Sequence, residues 1–371
     1  MSLWTRTASL ASPAKVQLEL WSYTPPHSTS RTYELKVYTG KPLNVIGLKK
    51  PVLEELRNYA NFLALTAQRL NTQDTKKIEI KQCPCCCTLI TDTKEVLRVF
   101  NIPYLRCSVC GHVFVGTQLD AQEVNSLFEH SVDHSQTYTN TETLDARLNE
   151  VIIPKVAWVL ETYQRVVGEN PLTCIDVGAG GGHFVFGMRR QGIKCVGFEL
   201  SQVSRVFAKK VFDLNLIGED FLTTETNLVN IITMWGLLEY TPNPRQFLEK
   251  ARKLLQPNHG LLVVEVPRFD ALGTVVQAEN PQNIVRHMDP TSHLNCFSDC
   301  SLATALVETG FRPVAVWYFG MDIYELLVQI AMRLDDSQVF DYLGDMIPAL
   351  QASCDLGRQC DDLIIAAIPD D

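Results

Sequence analysis

A glycine-rich turn between a predicted strand and a predicted helix is the feature that most constrains how this chain folds. Residues 173–176 read as a short buried strand, and the sequence Val-Gly-Ala-Gly-Gly-Gly-His then opens a helix. Glycine permits a sharp turn at positive φ and lets a ligand approach the backbone, while the start of a helix presents free N–H groups. Asp176 precedes the first glycine, where its charge would repel a pyrophosphate and suits a cationic amine. The turn therefore predicts a ligand site at the end of a buried strand.

From Leu172 onward, short apolar runs alternate with stretches of helical spacing, as in a doubly wound, mostly parallel sheet. We expect an α/β fold with a seven-stranded, Rossmann-like sheet, a helical interruption over 322–361 and a last strand over 362–368. The chain has 371 residues, of which 46% are hydrophobic and 20% charged, so it can bury the core of such a fold. The other predicted strands are 172–178, 193–200, 214–220, 229–235, 260–267 and 311–319, and the predicted helices between them are 182–191, 202–210, 244–255 and 299–309.

Polar and aromatic side chains follow the next predicted strands. Glu199 ends the second strand, where an acid hydrogen-bonds the ribose hydroxyls of a nucleotide-like cofactor. Asp220 and Phe221 follow the third strand and are suited to hold and stack an adenine ring. Trp235 ends the fourth strand and is expected in the cofactor pocket, although core packing explains it equally well. Because the carboxyl ends of parallel strands meet at one edge, these groups predict one shared site.

At these residues the sequence resembles the class I S-adenosylmethionine (SAM)-dependent methyltransferases. Their first motif has the form of residues 176–182, and residues 235–244 and 260–267 resemble their fourth strand, fourth helix and fifth strand. The resemblance covers roughly residues 150–320. It departs at Tyr240, where many relatives have histidine, and this puts a catalytic role at that position in doubt. The resemblance implies that the methionine portion lies against the glycines, its amine near Asp176 and the ribose on Glu199; the glycines are Gly178, Gly180 and Gly182.

Two Cys-x-x-Cys pairs predict a zinc ribbon. Six of the twelve cysteines fall between Cys83 and Cys110, and Cys83/Cys86 and Cys107/Cys110 have the spacing of two knuckles around one tetrahedral Zn²⁺ ion. Four thiolates leave no open position, so this zinc is expected to hold the fold and not to catalyse. The spacing does not decide which residues are the four ligands, because neighbouring cysteines or a nearby histidine offer alternatives. These are Cys85, Cys87 and His112.

The order of a zinc ribbon and a methyltransferase domain resembles a group of bacterial methyltransferases linked to surface-polysaccharide and sugar modification. Residues 106–114, 293–302 and 308–311 carry this resemblance. Ahead of the cysteines, residues 16–39 read as two strands and residues 51–70 as a helix. The expected division is an α+β segment 1–75, a zinc ribbon 76–120, a helical linker 121–170, a SAM-binding domain 171–320 and a helical extension with a final strand 321–371.

Candidate catalytic residues are sought beyond the ends of the fourth and fifth strands. Methyl transfer mainly requires positioning, and a general base helps when the acceptor is a hydroxyl or a carbon acid. His293, Glu239 and Tyr240 are the candidates, with His293 preferred over His287. The structural alternatives are a hydrogen-bonded surface histidine, a helix cap and a core tyrosine. The connection 267–298 is long for a βα link, so we expect it to contact the substrate.

The charge distribution limits the choice of partner. The net charge is −9; residues 1–120 contribute +6 and the remainder −15. We expect a small acceptor, such as a sugar or nucleotide-sugar, methylated at oxygen or carbon. The second hypothesis is an RNA methyltransferase that binds RNA through its zinc ribbon. A net charge of +6 over residues 1–120 is small for an RNA-binding surface. An inactive, methyltransferase-like binding module is the third. With no apolar stretch of signal-peptide or membrane-span length, a cytoplasmic protein without membrane contact is expected.

Overall fold

The computed structural model describes residues 4–10, 17–26, 31–41, 45–48, 53–70, 77–119, 139–279 and 287–370. A nine-stranded sheet runs through these residues in the order β1-β2-β3-β14-β15-β12-β11-β9-β10. Strands β9 to β12 pair in parallel, and β15 is antiparallel to both of its neighbours. The strands are β1 Trp4–Leu10, β2 Gln17–Tyr23, β3 Tyr33–Thr39, β9 Thr173–Val177, β10 Lys194–Phe198, β11 Ile231–Trp235, β12 Leu261–Pro267, β14 Phe311–Phe319 and β15 Asp362–Pro369.

Helices cover both faces of this sheet, because its central strands are apolar on both sides. One face packs against the helices at residues 153–167 and 183–190, and the other against those at 244–254 and 299–308. The helices are α1 Val45–Leu48, α2 Leu53–Leu70, α3 Leu144–Arg147, α4 Ile153–Val167, α5 His183–Arg190, α6 Gln202–Phe212, α7 Pro244–Leu254, α8 Leu272–Glu279, α9 Asp299–Glu308, α10 Asp322–Leu334, α11 Val339–Leu343 and α12 Ile347–Leu356. The predicted α/β class and mostly parallel sheet are thus confirmed.

The strand number differs from the predicted seven. Strands β2 and β3 were predicted from the sequence, but they extend the main sheet: β3 pairs in parallel with β14, with Ala315 opposite Lys36. β1 and β2 add two antiparallel strands at the same edge. The predicted strand 214–220 forms only an isolated bridge between Phe198 and Ile217. Strands that are far apart in the sequence pair without leaving a local sequence signal. The predicted number of strands in the main sheet was therefore too low.

The cysteine segment forms a second, four-stranded sheet in the order β13-β7-β6-β5. Its outer strand β13 comes from the connection after β12, so the main domain completes the ribbon sheet. Among the described helices, none combines the length and hydropathy of a membrane span. The remaining strands are β4 Lys77–Glu79, β5 Lys94–Val99, β6 Ile102–Arg106, β7 Val113–Val115, β8 Thr117–Leu119 and β13 Asn295–Cys296.

Candidate active site and metal centre

A cavity of about 390 Å³ opens at the carboxyl ends of β9, β10, β11 and β12. This is where open α/β sheets bind ligands, and the volume is in the range of small-molecule sites. Eight of the sequence-predicted residues line it, namely Asp176, Gly178, Gly180, Glu199, Asp220, Phe221, Trp235 and Tyr240. Gly182, Glu239 and His293 do not belong to the described residues that line it.

The glycine turn wraps around the end of β9 in the left-handed backbone region that favours glycine. Gly178 has φ +73°, and a Cβ there would lie 3.1 Å from the Leu237 side chain. Gly182 has φ +78°, and a Cβ there would lie 3.1 Å from Ala208 and Leu214. Gly178 therefore shapes the cavity wall, whereas Gly182 permits close packing of α5 against the neighbouring helix.

Asp176 lies at the floor of the cavity and is almost completely buried. Its Oδ1 accepts a hydrogen bond of 2.7 Å from the Thr233 hydroxyl. Its Oδ2 is buried and has no hydrogen-bond partner among the described residues. Burial raises the pKa of Asp176 to about 7, against the opposing effects of Thr233 and Lys155. A buried carboxylate oxygen without a partner fits a cationic ligand group.

Glu199 is fixed by backbone donors. The Gly180 and Ser201 N–H groups each donate a 2.7 Å hydrogen bond to its carboxylate. Burial raises the pKa of Glu199, and the two backbone N–H groups oppose that rise. Each carboxylate oxygen retains a free lone pair, so the side chain is pre-positioned to accept from hydroxyl groups.

Asp220 and Phe221 lie together on the cavity wall. Asp220 accepts a 2.9 Å hydrogen bond from the Leu222 N–H, which orders the turn. The Phe221 ring is buried against Phe198 at 5.5 Å and Phe247 at 6.3 Å between centroids. Phe221 thus supplies an apolar wall built into the core.

The cavity wall also contains a buried ion pair that was not predicted from the sequence. Lys155 Nζ lies 2.7 Å from Glu265 Oε1 and 2.5 Å from Oε2, and both side chains are about nine-tenths buried. Lys155 also lies 4.7 Å above the Trp235 ring, whose indole N–H has no described partner. Glu265 lies at the end of the predicted strand 260–267, so its position near the ligand site could have been predicted. Lys155 is 110 residues earlier in the chain, and no sequence motif includes it.

The three catalytic candidates occupy different places. Tyr240 lines the cavity, and its ring lies 4.7 Å from that of His293 behind it. The Nδ1 atom of His293 lies 3.3 Å from the Ser292 hydroxyl. Glu239 is turned into the core, where burial raises its pKa to about 8 and Oε2 has no described partner. The geometry thus brings Tyr240 and His293 together and separates Glu239 from the cavity.

The four predicted zinc ligands converge. The Sγ atoms of Cys83, Cys86, Cys107 and Cys110 all lie within 4.8 Å of one another, and two pairs are 3.6 Å apart. Tetrahedral zinc–sulfur bonds place sulfurs about 3.8 Å apart, so the residues fit this ion. Each knuckle closes through an N–H···O bond, from Cys87 to Cys83 O and from Gly111 to Cys107 O. Both closing residues have positive φ.

The alternative ligands lie outside this cluster. Cys85 is buried beside it and Cys87 is exposed. His112 uses its ring nitrogens elsewhere: Nε2 lies 3.1 Å from Asn295 Oδ1 and Nδ1 3.3 Å from Ser301 Oγ. This arrangement favours the register of the two Cys-x-x-Cys pairs.

Comparison with known proteins finds a family match over the stretch that contains most of the cavity-lining residues. Residues 148–316 match the family model described as "Methyltransferase domain". Over 126 residues the chain is 32% identical to a ubiquinone biosynthesis O-methyltransferase of Histophilus somni (strain 2336), covering 30% of this chain and 53% of that protein. The chain thus spans about half the length of this curated relative.

Solved structures of methyltransferases also align with the chain. The magnesium protoporphyrin IX methyltransferase of Synechocystis PCC 6803, with bound S-adenosylhomocysteine (SAH), has 12% identity and a TM-score of 0.44, covering 68% of this chain and all of its own. The plantazolicin methyltransferase BpumL, also with SAH, has 13% identity and a TM-score of 0.41, with 67% and 98% coverage.

The fold and the family match define the class of this domain. Residues 148–316, a little under half of the chain, match a methyltransferase-domain family and form a Rossmann-like α/β fold. The ribbon ahead of it carries a four-cysteine cluster able to hold a metal ion.

Proposed function

We propose that this protein transfers a methyl group from SAM to an oxygen or carbon of a small, hydroxylated acceptor, with a sugar or nucleotide-sugar as the substrate class. The observation that carries the proposal is the cavity at the strand ends, with its unpartnered Asp176 oxygen and its backbone-fixed Glu199. Both carboxylates match the positive and hydroxyl-bearing groups of the cofactor.

One end of the cavity is assigned to the cofactor. Asp176 receives the amine of the methionine portion, Glu199 receives the ribose hydroxyls, and Asp220 with Phe221 borders the adenine. Gly178 and Gly180 leave room for the backbone to contact the cofactor. The bound cofactor supplies a methyl group already activated by a positive sulfur, so the protein's task is to align the acceptor with it.

The acceptor end is assigned to Tyr240, Lys155, Glu265 and Trp235. The Tyr240 hydroxyl is suited to hydrogen-bond the acceptor, and His293 stands behind it as the base candidate acting through Tyr240. Glu265 pairs with Lys155 through both carboxylate oxygens, and both side chains line the cavity as one acceptor and one donor group. Paired charged donors and acceptors of this kind suit a polyhydroxylated compound better than an apolar one.

The cysteine cluster is assigned to one structural Zn²⁺ ion. Cys83, Cys86, Cys107 and Cys110 would hold it as thiolates. With four sulfur ligands there is no free position for water or substrate, so the ion stabilises the ribbon and takes no part in the transfer.

A transfer assay with labelled SAM tests the proposal. Zinc-loaded protein is incubated with methyl-labelled SAM and, in separate samples, with a panel of nucleotide-sugars or with RNA, and label is followed into each acceptor by mass spectrometry. We expect transfer to at least one nucleotide-sugar. This transfer should be lost in Asp176→Asn and retained in Glu225→Ala, a variant at an exposed position. Protein that binds SAH but labels none of the panel would overturn the sugar assignment. Label appearing in RNA instead would support the second hypothesis.

A further inference from the structure

The two cysteine knuckles are connected to the cavity by separate contacts. The part of the cavity wall concerned is residues 238–247, here called the wall segment, which runs from a 3₁₀ turn at Leu238–Tyr240 into the start of α7. Six of its residues line the cavity, namely Tyr240, Thr241, Pro242, Asn243, Gln246 and Phe247.

The second knuckle reaches the start of the wall segment through His112. The Cys107 N–H donates a 2.8 Å hydrogen bond to the His112 carbonyl, which ties the residue to the knuckle. The fully buried His112 ring then holds the side-chain oxygen of Asn295 at 3.1 Å from Nε2. Asn295 Nδ2 donates to the Thr241 carbonyl at 2.7 Å and to the Leu238 carbonyl at 3.3 Å.

The first knuckle reaches the other end of the wall segment. Arg245, in the first turn of α7, donates from Nη1 to the Cys85 carbonyl at 2.9 Å. Its Nη2 donates to the Glu308 carbonyl at 3.1 Å, so the guanidinium bridges the knuckle and the end of α9. Cys85 stands between the two cysteines of that knuckle and is fully buried.

A third set of contacts fastens the strand that carries Asn295. β13 pairs with β7 of the ribbon, and the Val115 N–H donates to the Leu294 carbonyl at 3.0 Å. The Tyr104 hydroxyl donates to the His293 carbonyl at 3.2 Å. The segment that faces Tyr240 is therefore part of the ribbon's own sheet.

We propose that metal bound by the four cysteines fixes the wall segment of the cavity, with His112 and Arg245 as the positioning residues that carry the constraint. Since a metal ion ties both knuckles together, it sets the distance between the two points at which they hold the segment. Without the ion each knuckle moves separately, and the ends of the wall segment lose their common support. The ribbon is thus a scaffold for the acceptor side of the site.

Hydrogen exchange of the full-length protein tests this coupling. We compare zinc-loaded protein with protein stripped by a chelator, with zinc content measured in both. Stripping is expected to accelerate amide exchange in the wall segment about tenfold or more, while amides of β9 and β11 keep their protection. Adding zinc back should restore the slow exchange. Zinc-free protein with unchanged exchange in the wall segment would overturn the proposal, as would purified protein that takes up no zinc.

Point variants keep the test decisive if the stripped protein unfolds. His112→Ala, which keeps all four cysteines and one zinc, should accelerate exchange at 238–241, and Arg245→Ala should do so at 244–247. His112→Gln and Arg245→Lys should restore part of the protection, since each keeps a donor. His259→Ala, at an exposed histidine beside Glu169, is the matched control. Unchanged exchange in zinc-loaded His112→Ala would overturn the assignment of His112.

Coupling between the metal and the wall segment can be tested independently of cofactor binding. SAH titrations on the same samples report the cofactor site through Asp176 and Glu199. A protein that shows the zinc-dependent exchange but binds no SAH would leave the coupling intact and contradict the methyltransferase proposal.

Discussion

Asp176 and Glu199 are carboxylates of one cavity that differ in how their oxygens are partnered. Glu199 receives two backbone hydrogen bonds, whereas one oxygen of Asp176 has no described partner. Both positions were predictable, because a strand end followed by glycine, or an acid at the next strand end, is a local signal. Their hydrogen-bonding states were not, because they depend on Thr233 and on the fold of the turn.

Replacing Glu199 with alanine should weaken SAH binding by about 1–3 kcal/mol, the cost of losing a charge-assisted hydrogen bond. The loss includes looser packing of the turn, since the Gly180 N–H also loses its acceptor. Calorimetric titration measures the change, with Glu225→Ala as a control at an exposed position. Equal affinities for the parent and Glu199→Ala would contradict the ribose assignment.

SAH affinity should fall as the pH is lowered from 8 to 6. Burial raises the pKa of Asp176 to about 7, and the cationic amine is expected to bind its ionised form. The ionised fraction drops about tenfold over this interval, so Kd should rise by a similar factor. Titrations at several pH values measure this effect; a flat profile would show that Asp176 does not contact the amine.

At the scale of elements, the ion pair between α4 and β12 links a helix ahead of the glycine turn to the strand that ends at the cavity. The strand was predicted at 260–267, and the helix lies within the predicted helical linker 121–170. Periodicity could not predict their pairing, because the two residues are far apart in sequence and each is an ordinary charged residue by itself. The same limit applies to His112, which the sequence offered as a metal ligand and the structure places against Asn295.

Lys155→Met should destabilise the protein by about 3 kcal/mol, because it leaves the Glu265 carboxylate buried without its partner. The double variant Lys155→Met/Glu265→Leu should recover most of this loss. Lys209→Met, which removes an exposed pair with Asp213, should cost less than about 1 kcal/mol and serves as the control. Denaturant unfolding measures all three. A double variant that is no more stable than Lys155→Met would contradict the account of the pair.

At the scale of the whole molecule, the N-terminal strands and the ribbon are joined to the methyltransferase domain by shared sheets. β3 pairs with β14, and β13 pairs with the ribbon strand β7. The individual strands β2 and β3 could be predicted from their apolar alternation. Their place in the main sheet could not, because parallel pairing of distant strands depends on the complete fold. The knuckles were predictable because their spacing is dictated by the metal.

Zinc-loaded protein should therefore unfold in one cooperative transition. The buried residues of β2, β3, the cysteine knuckles and the central strands belong to one continuous core, so none of these parts can be removed without exposing another. Scanning calorimetry measures this, with Cys107→Ser as a variant expected to lose zinc and to unfold at lower temperature. Two well-separated transitions in the parent would show that the N-terminal half is an independent unit.

The most direct test of the central claim is calorimetric titration of the zinc-loaded protein with SAH. Asp176, Glu199 and the glycine turn should bind it with a Kd of about 1–100 µM, which corresponds to about −8.2 to −5.5 kcal/mol. Gly180→Asp should abolish the binding, because it places a charged side chain where the backbone must approach the cofactor. Folded, zinc-loaded parent protein that takes up no SAH would contradict the assignment of this cavity as a SAM site.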